Sequence, residues 1–171
     1  MPPMDLESTD VETLELLAAL IRLTKPSVVV EAGTYLGHGA IYMADACKAN
    51  GKGHVYTADP FARDAMRAMF AANGLEDWIT LYQTGYLKML DMPVVDFAFI
   101  DASGPGHDAS LRWKHVEATL PRLSQGGVMC VHDTAADDWN DGEGGESVRR
   151  IRALCDLTIY NNRGISIMVK R

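Results

Sequence analysis

VVVEAGTYLGHG, residues 28–39, runs from a β-branched segment into an acid, Glu31, and then into three glycines, Gly33, Gly37 and Gly39. An unbroken β-branched run suits a strand buried on both faces. Glycines directly after it let the backbone turn tightly. Gly37 and Gly39 then open a helix, whose first N–H groups have no partner within it. Buried strand, glycine turn and helix start together make the ligand-facing turn of an open α/β sheet, where nucleotide-like molecules approach the backbone.

Outward from this turn, strands and helices alternate. Upstream, residues 9–24 put Leu14, Leu17, Ala18 and Ile21 on one helical face, with Thr9 and Glu12 at capping-box spacing and Lys25-Pro26 as the stop. Downstream, the strand SVVVEA (27–32) is followed by a helix over 37–50 that Asn50-Gly51 closes. HVYTA (54–58) is a second strand ending at Asp59-Pro60, and a helix over 62–73 ends at Asn73-Gly74. WITLYQ (78–83) and VVDFAFID (94–101) are strands three and four, the fourth so apolar that it belongs at the centre. A helix from Asp108 to Leu123 leads to strand five, GVMCVH (127–132). TAADDWNDGEGGE (134–146) is acidic, glycine-rich and aperiodic, and reads as a long loop. A short helix with Val148, Ile151 and Leu154 inward precedes LTIYNN (157–162) and ISIMVK (165–170). Only antiparallel strands can be joined by a turn as tight as Asn162-Arg163-Gly164. The pattern predicts five strands linked by helical crossovers and closing with an antiparallel pair, a doubly wound α/β fold in three αβα layers.

Composition narrows the function. The 171 residues match one domain, and 47% hydrophobic content suffices for one core. No apolar run reaches the roughly 20 residues needed to cross a bilayer. The start, MPPMDLESTD, lacks the basic and apolar segments of a signal peptide. A net charge of −7 with scattered Lys and Arg argues against nucleic acid as a partner. Cys47, Cys130 and Cys155 are odd in number and widely spaced, which predicts buried thiols in a reducing cytoplasm.

In such a sheet, ligands sit beyond the carboxyl ends of the strands. There the chain places Glu31, Asp59, Thr84-Gly85-Tyr86, Asp101 with Ser103 and His107, and His132-Asp133-Thr134. Both the phosphate-loop pattern G-x-x-x-x-G-K-[ST] and the dinucleotide pattern G-x-G-x-x-G are absent. An acid before the turn would repel a phosphate and favours a cationic ligand. S-adenosylmethionine, with an ammonium, a sulfonium and no phosphate, fits that requirement. Asp59 is placed to accept both ribose hydroxyls. The competing structural readings are a locally paired Glu31 and an Asp-Pro turn at Asp59.

E-x-G-x-x-x-G-x-G, the acid after strand two, FIDAS and GGVMCVHDT together resemble class I S-adenosylmethionine-dependent methyltransferases. The chain is most similar to the small-molecule O-methyltransferase-like families, including the catechol O-methyltransferase-like and cephalosporin-hydroxylase-like branches. The likeness runs over about 27–170 and includes the closing hairpin. It implies a Rossmann-like core of seven strands, mostly parallel with an antiparallel last strand, over 26–171 behind an N-terminal helical segment, 1–25, in a single domain spanning 1–171. It further implies that Glu31, Gly33, Thr34, Tyr35, Gly37, Asp59, Pro60, Gly85, Tyr86 and Asp101 surround the cofactor. In metal-dependent relatives the Asp101 position binds Mg²⁺ with residues at the end of strand five, here His132 and Asp133. An imidazole is a poor Mg²⁺ ligand and suits Mn²⁺, Fe²⁺ or Zn²⁺ better. The lysine base of the catechol-type enzymes falls here on Gly104. The metal-free alternative makes His107 or His132 the base, oriented by Asp101 or Asp133.

The expected reaction is methyl transfer from S-adenosylmethionine to a small-molecule acceptor, at a hydroxyl oxygen. A catalytically silent methyltransferase-like module and an NAD-dependent oxidoreductase are the alternatives. The acceptor pocket is open, roofed by the 134–146 loop with its Trp139, or completed by a partner subunit in a homo-oligomer.

Overall fold

A computed structural model describes residues 8–62, 64–103, 110–135, 143–161 and 163–171. The chain groups into two compact units, Met1–Asp91 and Met92–Arg171.

In the first unit, helix α1 (Val11–Thr24) packs on α2 (His38–Asn50). Leu14, Leu17 and Ile21 are fully buried there, and so are Ala40, Met43, Ala44 and Cys47. The cap of α1 differs from the expected capping box. Asp10, not Thr9, is the N-cap, and its carboxylate accepts from the Thr13 amide at 3.0 Å. A carboxylate serves that end better than a hydroxyl, because it also meets the positive end of the helix dipole. Strands β1 (Val28–Ala32), β2 (His54–Ala58) and β3 (Ile79–Tyr82) are parallel, with β2 between the other two. Their register sets Glu31 opposite Thr57. Helix α3 (Asp64–Ala72) links β2 to β3. A single turn, α4 (Tyr86–Met89), follows β3; one turn is too short to leave a periodic signal in the sequence.

In the second unit, β4 (Val95–Ile100) pairs in parallel with β5 (Leu123–His132). Helix α5 (Ser110–Thr119) lies between them in the chain and packs on α6 (Glu143–Leu154). The expected helix to Leu123 stops instead at Thr119. Pro121 disfavours helical backbone at the residue before it, and β5 then begins at Leu123. The register of β4 and β5 shifts between Val95 and Phe97, which absorbs the extra length of β5. Helix α6 begins at Glu143, inside the segment expected to be loop. Val148 and Ile151 point inward as expected, whereas Leu154, the last residue of the helix, is 37% exposed. Strands β6 (Leu157–Ile159) and β7 (Ile165–Val169) form the antiparallel hairpin, and β7 is also antiparallel to β5.

Within the first unit the strands run in the order β3-β2-β1 and within the second β4-β5-β7-β6, parallel except for β7 and accompanied by helices, as the Rossmann-like reading expects. Among the described residues no helix is long and apolar enough to cross a membrane. All three cysteines are free thiols. Cys47 and Cys130 are buried as expected, but Cys155 is only partly so.

Candidate active site

In the first unit the site grows out of the turn after β1. Gly33 (φ 93°), Tyr35 (φ 45°) and Gly37 (φ 85°) all take left-handed backbone, so the chain reverses within five residues. The Gly33 amide donates to the Ala58 carbonyl at 3.1 Å, and the Gly37 amide donates to Thr34 at 2.7 Å, which holds the turn against the end of β2. Glu31 is 1% exposed. The Thr57 hydroxyl donates to Glu31 Oε2 at 2.5 Å and lies 2.6 Å from the Thr34 hydroxyl. Thr57 has a single proton and gives it to the carboxylate, so Thr34 is the donor in the second contact. A chain of hydroxyl hydrogen bonds therefore runs from Thr34 through Thr57 to Glu31. Ser8, Thr9 and His38 join Glu31 and Thr34 around a small recess.

Asp59 follows β2 and receives two backbone amides, Tyr35 at 2.9 Å on Oδ2 and Phe61 at 2.8 Å on Oδ1. The expected Asp-Pro turn is thus real, and the same carboxylate also pins the glycine turn. Each oxygen keeps a further lone-pair direction for a ligand hydroxyl. Pro60 is exposed, Gly85 caps α4 in extended backbone, and Tyr86 is buried at 2% exposure.

In the second unit, Asp101, His132 and Asp133 come together, with candidate ligand atoms within 4.8 Å of one another. His132 Nδ1 lies 3.0 Å from Asp101 Oδ1 and 3.5 Å from Asp133 Oδ1. A carboxylate only accepts, so with a neutral ring the proton sits on Nδ1 and Nε2 carries the lone pair. His132 is fully buried and Asp101 is 14% exposed, which makes the acid, not the imidazole, the member of the pair that meets solvent. His107 and Trp139 lie outside the described residues, as does Gly104.

Two arginines that sequence reasoning did not single out complete this cluster. Arg163, from the β6–β7 turn, grips Asp133 with both arms of its guanidinium, Nε to Oδ1 at 2.6 Å and Nη2 to Oδ2 at 2.9 Å. Arg112, 1% exposed on α5, donates from Nη2 to Oδ2 at 2.6 Å. A signal was present, since a buried acid requires a cationic partner, but sequence spacing does not say which one. Arg112 also lowers the pKa of buried His115 to about 4, after the larger effect of burial itself.

These donors do not fit a divalent cation. Asp133 is already neutralised on both oxygens by guanidinium groups. With a neutral His132, the two acids and two arginines sum to zero charge, whereas hard-cation sites concentrate negative oxygen.

A family profile described as a methyltransferase domain matches residues 30–134. No curated protein sequence matches the chain. Among solved structures, the chain is similar to the O-methyltransferase TomG from Streptomyces achromogenes, in complex with SAM, at 19% identity and a TM-score of 0.76 over 96% of this chain and 82% of that one. It is also similar to an O-methyltransferase from Bacillus cereus in complex with SAH, at 19% identity and a TM-score of 0.77 over 98% and 84%. A third similar fold is the SAH-bound methyltransferase PaMTH1 from Podospora anserina, at 18% identity and a TM-score of 0.77 over 96% and 80%.

Proposed function

The chain belongs to the methyltransferase-domain family, and on that premise we propose that it transfers the methyl group of S-adenosylmethionine to a hydroxyl oxygen of a small-molecule acceptor. The observation that carries the cofactor is Glu31, a buried carboxylate at the mouth of a glycine turn, held in place by the Thr34–Thr57 hydroxyl chain. An anion there selects an ammonium-bearing ligand over a phosphate. Asp59, already oriented by two backbone amides, takes the ribose hydroxyls. The TomG, Bacillus cereus and Podospora structures, which hold SAM or SAH in the same fold, support this reading.

Asp101 and His132 do the acceptor chemistry. The acceptor hydroxyl meets Asp101, the exposed member, and gives it a hydrogen bond. His132 stands behind as a positioning residue, its Nδ1–H holding Asp101 Oδ1. As the acceptor oxygen attacks the methyl carbon, an O–C bond forms and the C–S bond breaks. The electron pair of that bond goes to sulfur, giving S-adenosylhomocysteine. The hydroxyl proton passes to the Asp101–His132 pair and then to solvent. Alignment of oxygen, methyl and sulfur supplies much of the acceleration. The whole chain, 1–171, acts as one domain in this reading, and its acidic charge and free thiols suit the cytoplasm.

Calorimetry with S-adenosylhomocysteine tests the cofactor. Glu31→Gln and Asp59→Ala are each expected to weaken binding by roughly tenfold or more, the scale of a lost charge-assisted hydrogen bond. Unchanged affinity in both variants sinks the assignment. Full burial of His132 favours one second reading, a module that binds the cofactor without turnover. That reading predicts binding with no methylated product across a broad hydroxyl-acceptor screen.

A further inference from the structure

The Asp101–His132–Asp133 cluster has the composition of a cation site but the electrostatics of a closed ion-pair network. The 3.0 Å between His132 Nδ1 and Asp101 Oδ1 suits either a hydrogen bond or two neighbouring ligands of one ion, so that distance does not discriminate. The arginines do. A carboxylate offers about four lone-pair directions. On Asp133 three are occupied, by Arg163 Nε, Arg163 Nη2 and Arg112 Nη2, all between 2.6 and 2.9 Å. The remaining direction on Oδ1 faces His132.

Arg112 cannot step aside. It is 1% exposed, and among the described residues its Nε and Nη1 have no hydrogen-bond partner. Releasing Asp133 to a metal would leave this guanidinium buried without its counter-charge and with a dication beside it. Arg163 is held by its own segment as well. Its carbonyl accepts from Ala135 at 3.0 Å, and the Gly164 carbonyl accepts from Thr134 at 3.2 Å, which docks the β6–β7 turn onto the chain just after Asp133.

We propose that Arg112 and Arg163 occupy, with the protein's own charge, the position a divalent cation would take against Asp133, so that the cluster excludes such ions. Asp133 is then a positioning residue. It anchors the β6–β7 turn and α5 to the end of β5 and stands beside the Asp101–His132 pair. This proposal does not rest on methyl transfer, because ion binding is measured directly.

The experiment is Mn²⁺ titration of the full chain, followed by the free-ion electron paramagnetic resonance signal and by calorimetry. The wild type is expected to leave the Mn²⁺ signal unattenuated. Arg163→Gln removes one cation and uncovers Asp133 Oδ1, and is expected to gain at least tenfold in Mn²⁺ affinity. Adding Asp133→Asn to it should abolish the gain, and Arg163→Lys, which keeps the charge, should show none. Saturable binding of one Mn²⁺ by the wild type, lost in Asp101→Asn, overturns the proposal. A folded Arg163→Gln protein, with wild-type circular dichroism, that gains no Mn²⁺ affinity overturns the role given to the arginines. Should that variant not fold, the wild-type titration still decides the matter.

Discussion

Asp101 and His115 show how differently two buried or half-buried groups can be used. Asp101 keeps 14% exposure and is backed by a fully buried imidazole, so its loss removes a proton acceptor without opening a cavity. Asp101→Asn is expected to lower kcat by roughly a hundredfold or more, the scale of general-base catalysis, with a much smaller change in KM. Steady-state kinetics on an identified acceptor checks the split. His115 touches no proposed chemistry. Burial, and then Arg112, hold its pKa at about 4 in the folded protein, below its ordinary 6.5. The folded state therefore keeps the ring neutral while the unfolded chain protonates it. Stability is full above pH 6.5 and falls as the pH drops toward about 4, by about 3 kcal/mol at most. His115→Gln should flatten that acid limb in denaturant melts at pH 7, 6 and 5. The sequence marked Asp101, His132 and Asp133 because they end strands. It marked neither Arg112 nor Arg163, since one lies mid-helix and the other in a turn, and no local rule aims a guanidinium at an acid 21 or 30 residues away.

Among the elements, the β6–β7 hairpin does more than close the sheet. Its turn delivers Arg163 to Asp133 and lies against residues 134 and 135. Gly164 makes this possible. Its φ is 81°, and an added Cβ would run into the Ala135 backbone, with that Cα only 2.6 Å away. Gly164→Ala is expected to cost at least ~2 kcal/mol, because left-handed strain and a backbone clash act together. Chemical denaturation measures it. The tightness of Asn162-Arg163-Gly164 was legible as an antiparallel turn. What the turn leans on was not, because that contact is non-local. The ends of α5 and α1 depart from the expected ones for local reasons instead. Pro121 stops α5 short, and Asp10 outcompetes Thr9 as a cap.

For the whole molecule, cofactor binding is the cheapest global readout. At a hundredfold excess over its Kd, S-adenosylhomocysteine stabilises the folded state by about 2.7 kcal/mol. For a chain of this length that corresponds to a rise in Tm of roughly 5–11 °C. A single transition that shifts as one is the expected result for a chain working as one domain. NAD⁺ should shift nothing, and stabilisation by NAD⁺ alone would return the oxidoreductase reading. By itself the sequence determined the strand–helix alternation, the antiparallel close, the glycine turn with its acid, and the set of polar residues at the strand ends. Those features follow from side-chain periodicity, β-branching, glycine and turn chemistry, which act over a few residues. Only the tertiary structure decided that Thr34 and Thr57 chain their hydroxyls to Glu31, that Asp101 and not His132 faces solvent, and that two arginines hold Asp133. Each depends on register and burial between segments distant in the chain, and a buried charge is assigned its partner only when those segments pack.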